Sequence, residues 1–106
     1  MRKAEVKMHD SIAGYLIEDE NGYSFTYSVD YLNSQNPESI SLSLPLQKEP
    51  FRSKVMIPFF DGLIPEGWLL DIAQKNWKLN PRDRMGLLLA CCQECIGAVS
   101  VVESKI

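Results

Sequence analysis

The spacing of apolar residues changes halfway along the chain, and this change limits the possible folds more than any other feature. In the first half, apolar and polar residues alternate within Glu5–Met8, Tyr23–Tyr27 and Ile40–Leu46. Alternation with a period of two is typical of a half-buried strand. The second half carries helix signals instead, beginning at Pro65 and again at Pro81. The sequence therefore predicts an α+β fold, with a small, mostly antiparallel sheet and two main helices packed on it.

The N-terminal part of the sheet is predicted to be a meander of three strands. The first strand contains Glu5–Met8, the second runs from Ile12 to Glu18, and the third follows Asn21-Gly22. Asn-Gly is the preferred pair for a type I′ hairpin turn, because both residues tolerate positive φ. The aromatic residues of the third strand share one face and are predicted to lie in the core: Tyr23, Phe25 and Tyr27.

The middle of the chain is predicted to hold a short helical turn, two loops and an extended segment. Val29–Asn33 is the helical turn, and Asn33–Ser39 is a polar loop. Ile40–Leu46 alternates, but Pro45 cannot donate a hydrogen bond to a neighbouring strand. This segment is therefore an edge strand or simply extended chain. Gln47–Ser53 is predicted to be a second polar loop.

Two helices and a last strand are predicted in the second half. Pro65 suits the first position of a helix, which would run to about Trp77. Asn80 is predicted to cap the next helix, with Pro81 in its first position and Asp83 in its first turn. Ala98–Val102 is rich in β-branched residues and is predicted to be a strand. One face of the second helix is predicted to be apolar: Met85, Leu88, Leu89 and Cys92.

Length and composition indicate one soluble domain comprising residues 1–106. Apolar residues make up 45% of the chain and charged residues 24%, as in ordinary globular proteins. The net charge of −3 argues against direct binding of nucleic acid. No apolar stretch approaches the roughly 18–20 residues that a membrane span needs, and the N-terminus lacks the apolar region of a signal peptide. An odd number of cysteines, three, fits a reducing compartment, so we expect a cytoplasmic protein.

Few residues are arranged as catalytic or metal-binding residues usually are. His9, the one histidine, is predicted to be a polar residue at a strand end. Cys92 and Cys95 have CxxC spacing and follow Cys91, but a structural zinc site needs four ligands. Core packing is the favoured interpretation of the three cysteines, with redox chemistry and metal binding as alternatives. We therefore predict no enzymatic activity, no cofactor and no metal.

The run Phe59–Trp68 (FFDGLIPEGW) is the most distinctive segment of the chain. It resembles the signature FF-x-x-L-(L/I)-P-E-G of the N-terminal subdomain of HipA-family kinases. Ile40–Leu46 (ISLSLPL) is similar to a strand of that family, and Cys95–Val99 is similar to its closing pattern. The resemblance extends over nearly the whole chain. Cys92 and Glu94 depart from it, because the family often has Gly and Asp there.

The resemblance implies a role in a toxin–antitoxin system. HipA proteins are serine/threonine kinase toxins that continue into a kinase region, whereas this sequence ends at Ile106. A free-standing copy of the subdomain resembles HipS, the antitoxin of three-part HipBST systems. The resemblance thus implies binding and inhibition of a HipT-like kinase, with a HipB-like DNA-binding protein as a further partner, directly or through the kinase.

Two other roles stay open at this stage. The chain is alternatively a structural N-terminal subdomain, or a fragment, of a HipA kinase that contacts HipB. It is otherwise a co-regulator of transcription that joins a DNA-bound complex through HipB. The acidic balance argues against direct contact with DNA in that third case.

We predict that the Leu63–Trp68 turn of the signature segment docks on the kinase. On a helical wheel Trp77 falls on the apolar side and Trp68 falls beside polar residues. Tryptophan is enriched at binding hot spots, so we predict that Trp68 inserts near the kinase active site. The alternative is that Trp68 folds back over the sheet. The predicted contact residues are Phe59, Asp61, Leu63, Ile64, Pro65, Glu66, Gly67 and Trp68.

Overall fold

The computed structural model describes residues 1–64, 83–91 and 98–104, and these form one antiparallel sheet with short helices. The strands are β1 (Arg2–Met8), β2 (Ser11–Asp19), β3 (Gly22–Tyr27), β4 (Phe51–Ser53) and β5 (Val99–Glu103). Their order in the sheet is β4-β3-β2-β1-β5. The helices are α1 (Val29–Leu32), α2 (Pro58–Asp61) and α3 (Arg84–Cys91). The predicted α+β fold, its antiparallel meander and the short turn of helix at α1 are confirmed.

The meander joins its strands by tight turns, and one glycine allows β2 and β3 to approach closely. Gly14 of β2 is buried and pairs with both Val6 and Tyr27. A Cβ atom at Gly14 would collide with the Thr26 carbonyl oxygen and lie 2.9 Å from the Phe25 ring. The close packing of Phe25 against the sheet therefore depends on a missing side chain at this position.

The β2–β3 hairpin turns one residue earlier than predicted. Asp19 pairs with Gly22, so Glu20 and Asn21 are the two loop residues. Neither of these two has a positive φ, and the prediction of a type I′ turn is therefore wrong. Among Asp19, Glu20, Asn21 and Gly22, only Gly22 has a positive φ, of 127°. The Asn21 N–H donates to the Asp19 carboxylate over 2.8 Å, so a side chain supplies the acceptor that orders this turn.

The segment Ile40–Leu46 is a turn, and the prediction of a strand or an extended segment is wrong. Ser41 and Leu44 form an isolated bridge, and the Leu44 N–H donates to the Ser41 carbonyl over 3.1 Å. Leu42 lies at the tip and is fully exposed. The alternating pattern misled because only its first and third apolar residues, Ile40 and Leu44, are buried.

The segment from Glu38 to Leu44 is held by two stacked tyrosines and not by pairing with a neighbouring strand. The rings of Tyr27 and Tyr31 stack with their centroids 6.3 Å apart. The Tyr27 hydroxyl accepts a hydrogen bond from the Ile40 N–H at 3.1 Å and donates one to the Leu44 carbonyl. The Tyr31 hydroxyl bonds both backbone groups of Glu38, at 2.6 and 3.0 Å. Burial raises the pKa of Tyr27, which keeps its hydroxyl protonated and able to donate.

Replacing Tyr27 by phenylalanine is expected to lower the free energy of unfolding by about 1–3 kcal/mol. The change leaves the Ile40 N–H and the Leu44 carbonyl, both on buried residues, without their partner. Tyr31→Phe is the matched control, with a smaller expected loss because water can reach the exposed Glu38. Urea unfolding of the three proteins measures both values. Equal midpoints for Tyr27→Phe and the wild type would contradict the proposed role.

Strand β4 occupies the end of a segment that was predicted to be a loop. Phe51 pairs with Phe25 of β3, and their rings stack at 6.5 Å. A strand of three residues is too short to show a period in the sequence, which explains the wrong prediction. Strand β5 lies at the opposite edge, pairs with β1, and is displaced by one residue from its predicted bounds.

The core lies between one face of the sheet and the helices. Helix α3 contributes the predicted Met85, Leu88 and Leu89, together with Leu87. Tyr27 is buried and Tyr23 is partly buried against the core, as the pattern in β3 predicted. Among the residues that the structure describes, the largest fully buried side chains are Phe25, Phe60, Leu16, Met85, Leu87, Leu88, Val6 and Val101.

Helix α3 begins at Arg84, and Asp83 is the residue that caps it. The Leu87 N–H donates to the Asp83 carbonyl at 3.0 Å, and the Gly86 N–H donates to the Asp83 carboxylate at 3.2 Å. This is the geometry of an N-cap. The prediction that Asp83 lies inside the first turn is wrong. Several predicted positions lie outside the described residues: the helix from Pro65 to Trp77, Asn80, Pro81 and Cys92.

Candidate partner-binding surface

Helix α2 holds the first residues of the signature segment against the core. Pro58 stands at its start, where a missing N–H leaves no backbone acceptor unpaired. Phe60 is fully buried and contacts the Phe25 ring at 5.4 Å. Phe59 is partly buried and meets the Phe60 ring edge to face at 5.2 Å. The prediction that one of the two phenylalanines packs in the core is confirmed, and that residue is Phe60.

The chain leaves α2 through a tight turn that buries its last described residue. The Leu63 N–H donates to the Phe60 carbonyl at 3.0 Å, and the Ile64 N–H donates to the Asp61 carbonyl at 3.2 Å. Ile64 is only 4% exposed, whereas Leu63 is partly buried against the core. Ile64 is thus a core residue of the free domain, and Leu63 is better placed for a partner. The remaining predicted contact residues lie outside the described part of the chain: Pro65, Glu66, Gly67 and Trp68.

Asp61 of α2 forms an ion pair with Arg84 of α3. The distance from the Arg84 Nε to the Asp61 Oδ1 is 2.6 Å. The Asp61 side chain is 43% exposed and that of Arg84 is 30% exposed, so the pair is open to solvent on one side. This contact ties the signature segment to α3 across 23 residues of sequence.

Arg2 makes a second set of ion pairs at the start of α3. Its Nε lies 2.7 Å from Glu18, and its two terminal nitrogens lie 2.9 and 2.5 Å from the Asp83 carboxylate. A two-pronged contact between guanidinium and carboxylate is the strong form of this pair. The Arg2 guanidinium and the Gly86 N–H hold the pKa of Asp83 below its usual value, while partial burial opposes them. Neighbouring residues Asp83 and Arg84 thus bind α3 to β1 and to α2.

The lowered pKa of Asp83 predicts an acid-dependent loss of stability. A depressed pKa in the folded state means that the stabilisation is present above the unfolded pKa of about 3.9 and is lost as the pH falls through the folded value. The pair is about a third exposed, so solvent screening keeps the effect small. We expect Asp83→Asn, which retains a capping side chain, to flatten the fall in unfolding midpoint between pH 6 and pH 2. Asp10→Asn, at an exposed turn, is the control and should leave the slope unchanged.

Sequence reasoning missed the ionic contacts of Arg2, Asp83 and Arg84. Arg2 and Asp83 are 81 residues apart, and no local pattern in the sequence indicates that they meet. A bidentate arginine pair becomes visible only once the register of β1 places residue 2 beside α3.

The residues considered for other chemistry have ordinary structural roles where the structure describes them. His9 is exposed in the turn after β1, in agreement with the prediction, and its N–H donates to the Ala98 carbonyl at 2.6 Å. Its φ of 56° is left-handed, which histidine adopts more readily than most residues. Cys92 and Cys95 lie outside the described residues. Within residues 1–64, 83–91 and 98–104, no group of three or more possible metal ligands occurs.

No helix in the described part of the chain has both the length and the apolar character needed to cross a membrane.

Comparisons with known proteins agree with the sheet and with the signature segment. The family model of the HipA N-terminal domain matches residues 4–102. A protein of Haemophilus influenzae with no assigned function is 32% identical over 105 residues, which cover 99% of this chain and 95% of that protein. A putative kinase of Sinorhizobium fredii, Y4mE, is 30% identical over 92 residues, covering 86% of this chain but 22% of the kinase.

A solved structure gives the same result at the level of the fold. It is described as the N-terminal domain of HipA toxin, and it superposes with a TM-score of 0.78 at 28% identity. The superposition covers 99% of this chain and 94% of that one. This chain belongs to the HipA N-terminal domain family.

Proposed function

We propose that this chain is an antitoxin that binds and inhibits a HipT-like serine/threonine kinase toxin. The observation that carries the proposal is that the family match takes in residues 4–102, while the Haemophilus relative is covered over 95% of its own length. A protein of about this size therefore exists in another organism without an attached kinase region. If a kinase lacks this domain in its own chain, a separate protein of this family can supply the domain by binding to the kinase.

The signature segment is the proposed point of contact with the kinase. Phe60 and Ile64 are buried, which anchors the start of the segment Leu63–Trp68 on the core. An anchored base reduces the conformational entropy that a binding segment loses when its partner binds. Phe59 and Leu63 are only partly buried and so retain apolar surface for a partner. In this proposal Trp68 docks near the kinase active site, and the chain itself transfers no phosphate.

A HipB-like DNA-binding protein is the second proposed partner, reached directly or through the kinase. The formal charge of −3 gives the chain little attraction for phosphate backbones. We therefore place any DNA contact of the complex on HipB and none on this chain.

One observation favours a second candidate function. In the Sinorhizobium putative kinase, the matching stretch makes up 22% of a much longer protein. In such a protein the domain would be a structural subdomain that braces the kinase and contacts HipB. The reading frame around this chain's gene distinguishes the two cases: a kinase region in the same frame favours the structural role, and a separate kinase gene favours the antitoxin.

Co-expression with the kinase encoded beside it tests the proposed function. We expect this chain to restore growth of cells that express the kinase, and to co-purify with it as a stable complex. Phosphorylation of a generic substrate by the purified kinase should fall when the chain is added. Neither rescue nor co-purification would contradict the antitoxin role and leave the structural one.

A further inference from the structure

We propose that Asp61 does not contact the partner but positions the binding segment through its ion pair with Arg84. This inference rests on the proposed function, because it assigns a task to one residue of the same binding surface. It changes the role that the sequence predicted for Asp61, which was a direct contact.

The carboxylate of Asp61 is already engaged in the free domain. Its Oδ1 lies 2.6 Å from the Arg84 Nε, a distance typical of a charge-assisted hydrogen bond. A partner that bound Oδ1 would compete with Arg84, which is 30% exposed, and a partner that bound Oδ2 would meet a carboxylate whose charge Arg84 already balances. The Asp61 carboxylate is therefore better suited to fixing α2 than to contacting a partner.

Helix α2 needs such a fixing contact because it is short. It has four residues, Pro58–Asp61, and an isolated helix of this length is not stable in water. Phe60 holds its inner side by packing in the core. Ile57 and Ile64, on either side of the helix, are buried as well, but apolar packing is not directional and does not by itself fix the outer side that carries the partly buried Phe59 and Leu63. The pair to Arg84 supplies a second point of attachment, on α3.

Helix α3 is itself a fixed support. Asp83, directly before Arg84, binds both terminal nitrogens of Arg2 on β1. Met85, Leu87 and Leu88 of α3 are buried in the core. The path from the sheet to α2 therefore runs through Arg2, Asp83, Arg84 and Asp61. The orientation of Phe59 and Leu63 follows from the position of α3.

The test is an exchange of the two charges in the full chain, with binding to the co-purifying kinase measured at low salt. Asp61→Arg and Arg84→Asp should each weaken the affinity by about three- to tenfold, because each lets α2 reorient before binding. The double variant, Asp61→Arg with Arg84→Asp, should return to within about twofold of the wild type. Asp30→Arg, which reverses the charge of an exposed residue of α1 outside this path, is the matched control and should bind like the wild type.

All measurements are made at a temperature where circular dichroism shows every variant fully folded, so that a loss of stability alone does not change the affinity. Two weak single variants and a restored double variant support the positioning role. A double variant as weak as the singles overturns it in favour of direct contact, and singles that bind like the wild type overturn it as well. Failure of the wild-type chain to bind the kinase is a separate outcome, which overturns the proposed function and this inference with it.

Discussion

Replacing Phe60 by alanine is expected to remove about 3–5 kcal/mol from the free energy of unfolding. The Phe60 ring is fully buried and contacts the ring of Phe25, which is also fully buried. A small domain has only about 5–15 kcal/mol of stability in total, so this change brings the chain close to unfolding. The melting temperature should fall by at least about 12 °C.

Phe59→Ala is the matched control for Phe60→Ala, because it removes the same atoms from the neighbouring position. Phe59 is only partly buried, and we expect a loss of about 1 kcal/mol. Urea denaturation followed by circular dichroism gives both values. Equal losses for the two variants would show that the rings share the core equally and would contradict the assignment of Phe60 as the anchor. For the binding of the kinase the order should reverse in folded protein, since Phe59 keeps apolar surface.

The strands of the meander were predictable because in each of them buried residues alternate with half-exposed ones over part of its length. In β1 the residues Ala4, Val6 and Met8 are buried while their neighbours are half-exposed, and this alternation is visible in the sequence. The same reasoning failed at Ile40–Leu46. There, two hydrogen bonds of the Tyr27 hydroxyl fix the chain in a turn. Tyr27 belongs to β3 and lies 13 and 17 residues before its two partners, so the local pattern does not show these bonds.

The sequence suggests a location for the candidate site, which stays a prediction, and it does not specify the roles of the residues there. A run as distinctive as Phe59–Trp68 indicates a shared function through resemblance, without specifying which side chains point outward. The burial of Ile64 and the pairing of Asp61 with Arg84 depend on where α3 lies. Tertiary contacts of this kind leave no pattern in the local sequence, because an arginine at position 84 would fit equally well on a helix face that is fully exposed to solvent.

Replacing Trp68 by alanine is expected to weaken the binding of the kinase at least 30-fold, or about 2 kcal/mol, and to abolish growth rescue. The physical reason is the large apolar area of the indole ring, which a hot-spot tryptophan buries when its partner binds. The wheel from Pro65 places Trp68 beside polar positions, so the free energy of unfolding should change by less than about 1 kcal/mol.

Trp77→Ala is the control that separates binding from folding, since the same wheel places Trp77 on the apolar side. It should cost about 3–5 kcal/mol of stability, as is typical for a tryptophan in a core. Circular dichroism and urea unfolding establish the fold of both variants before binding to the kinase is measured. If Trp68→Ala is the destabilised variant, Trp68 folds back over the sheet. If Trp68→Ala stays folded and still inhibits the kinase, the insertion hypothesis is wrong, and Phe59 and Leu63 become the apolar contacts to test next.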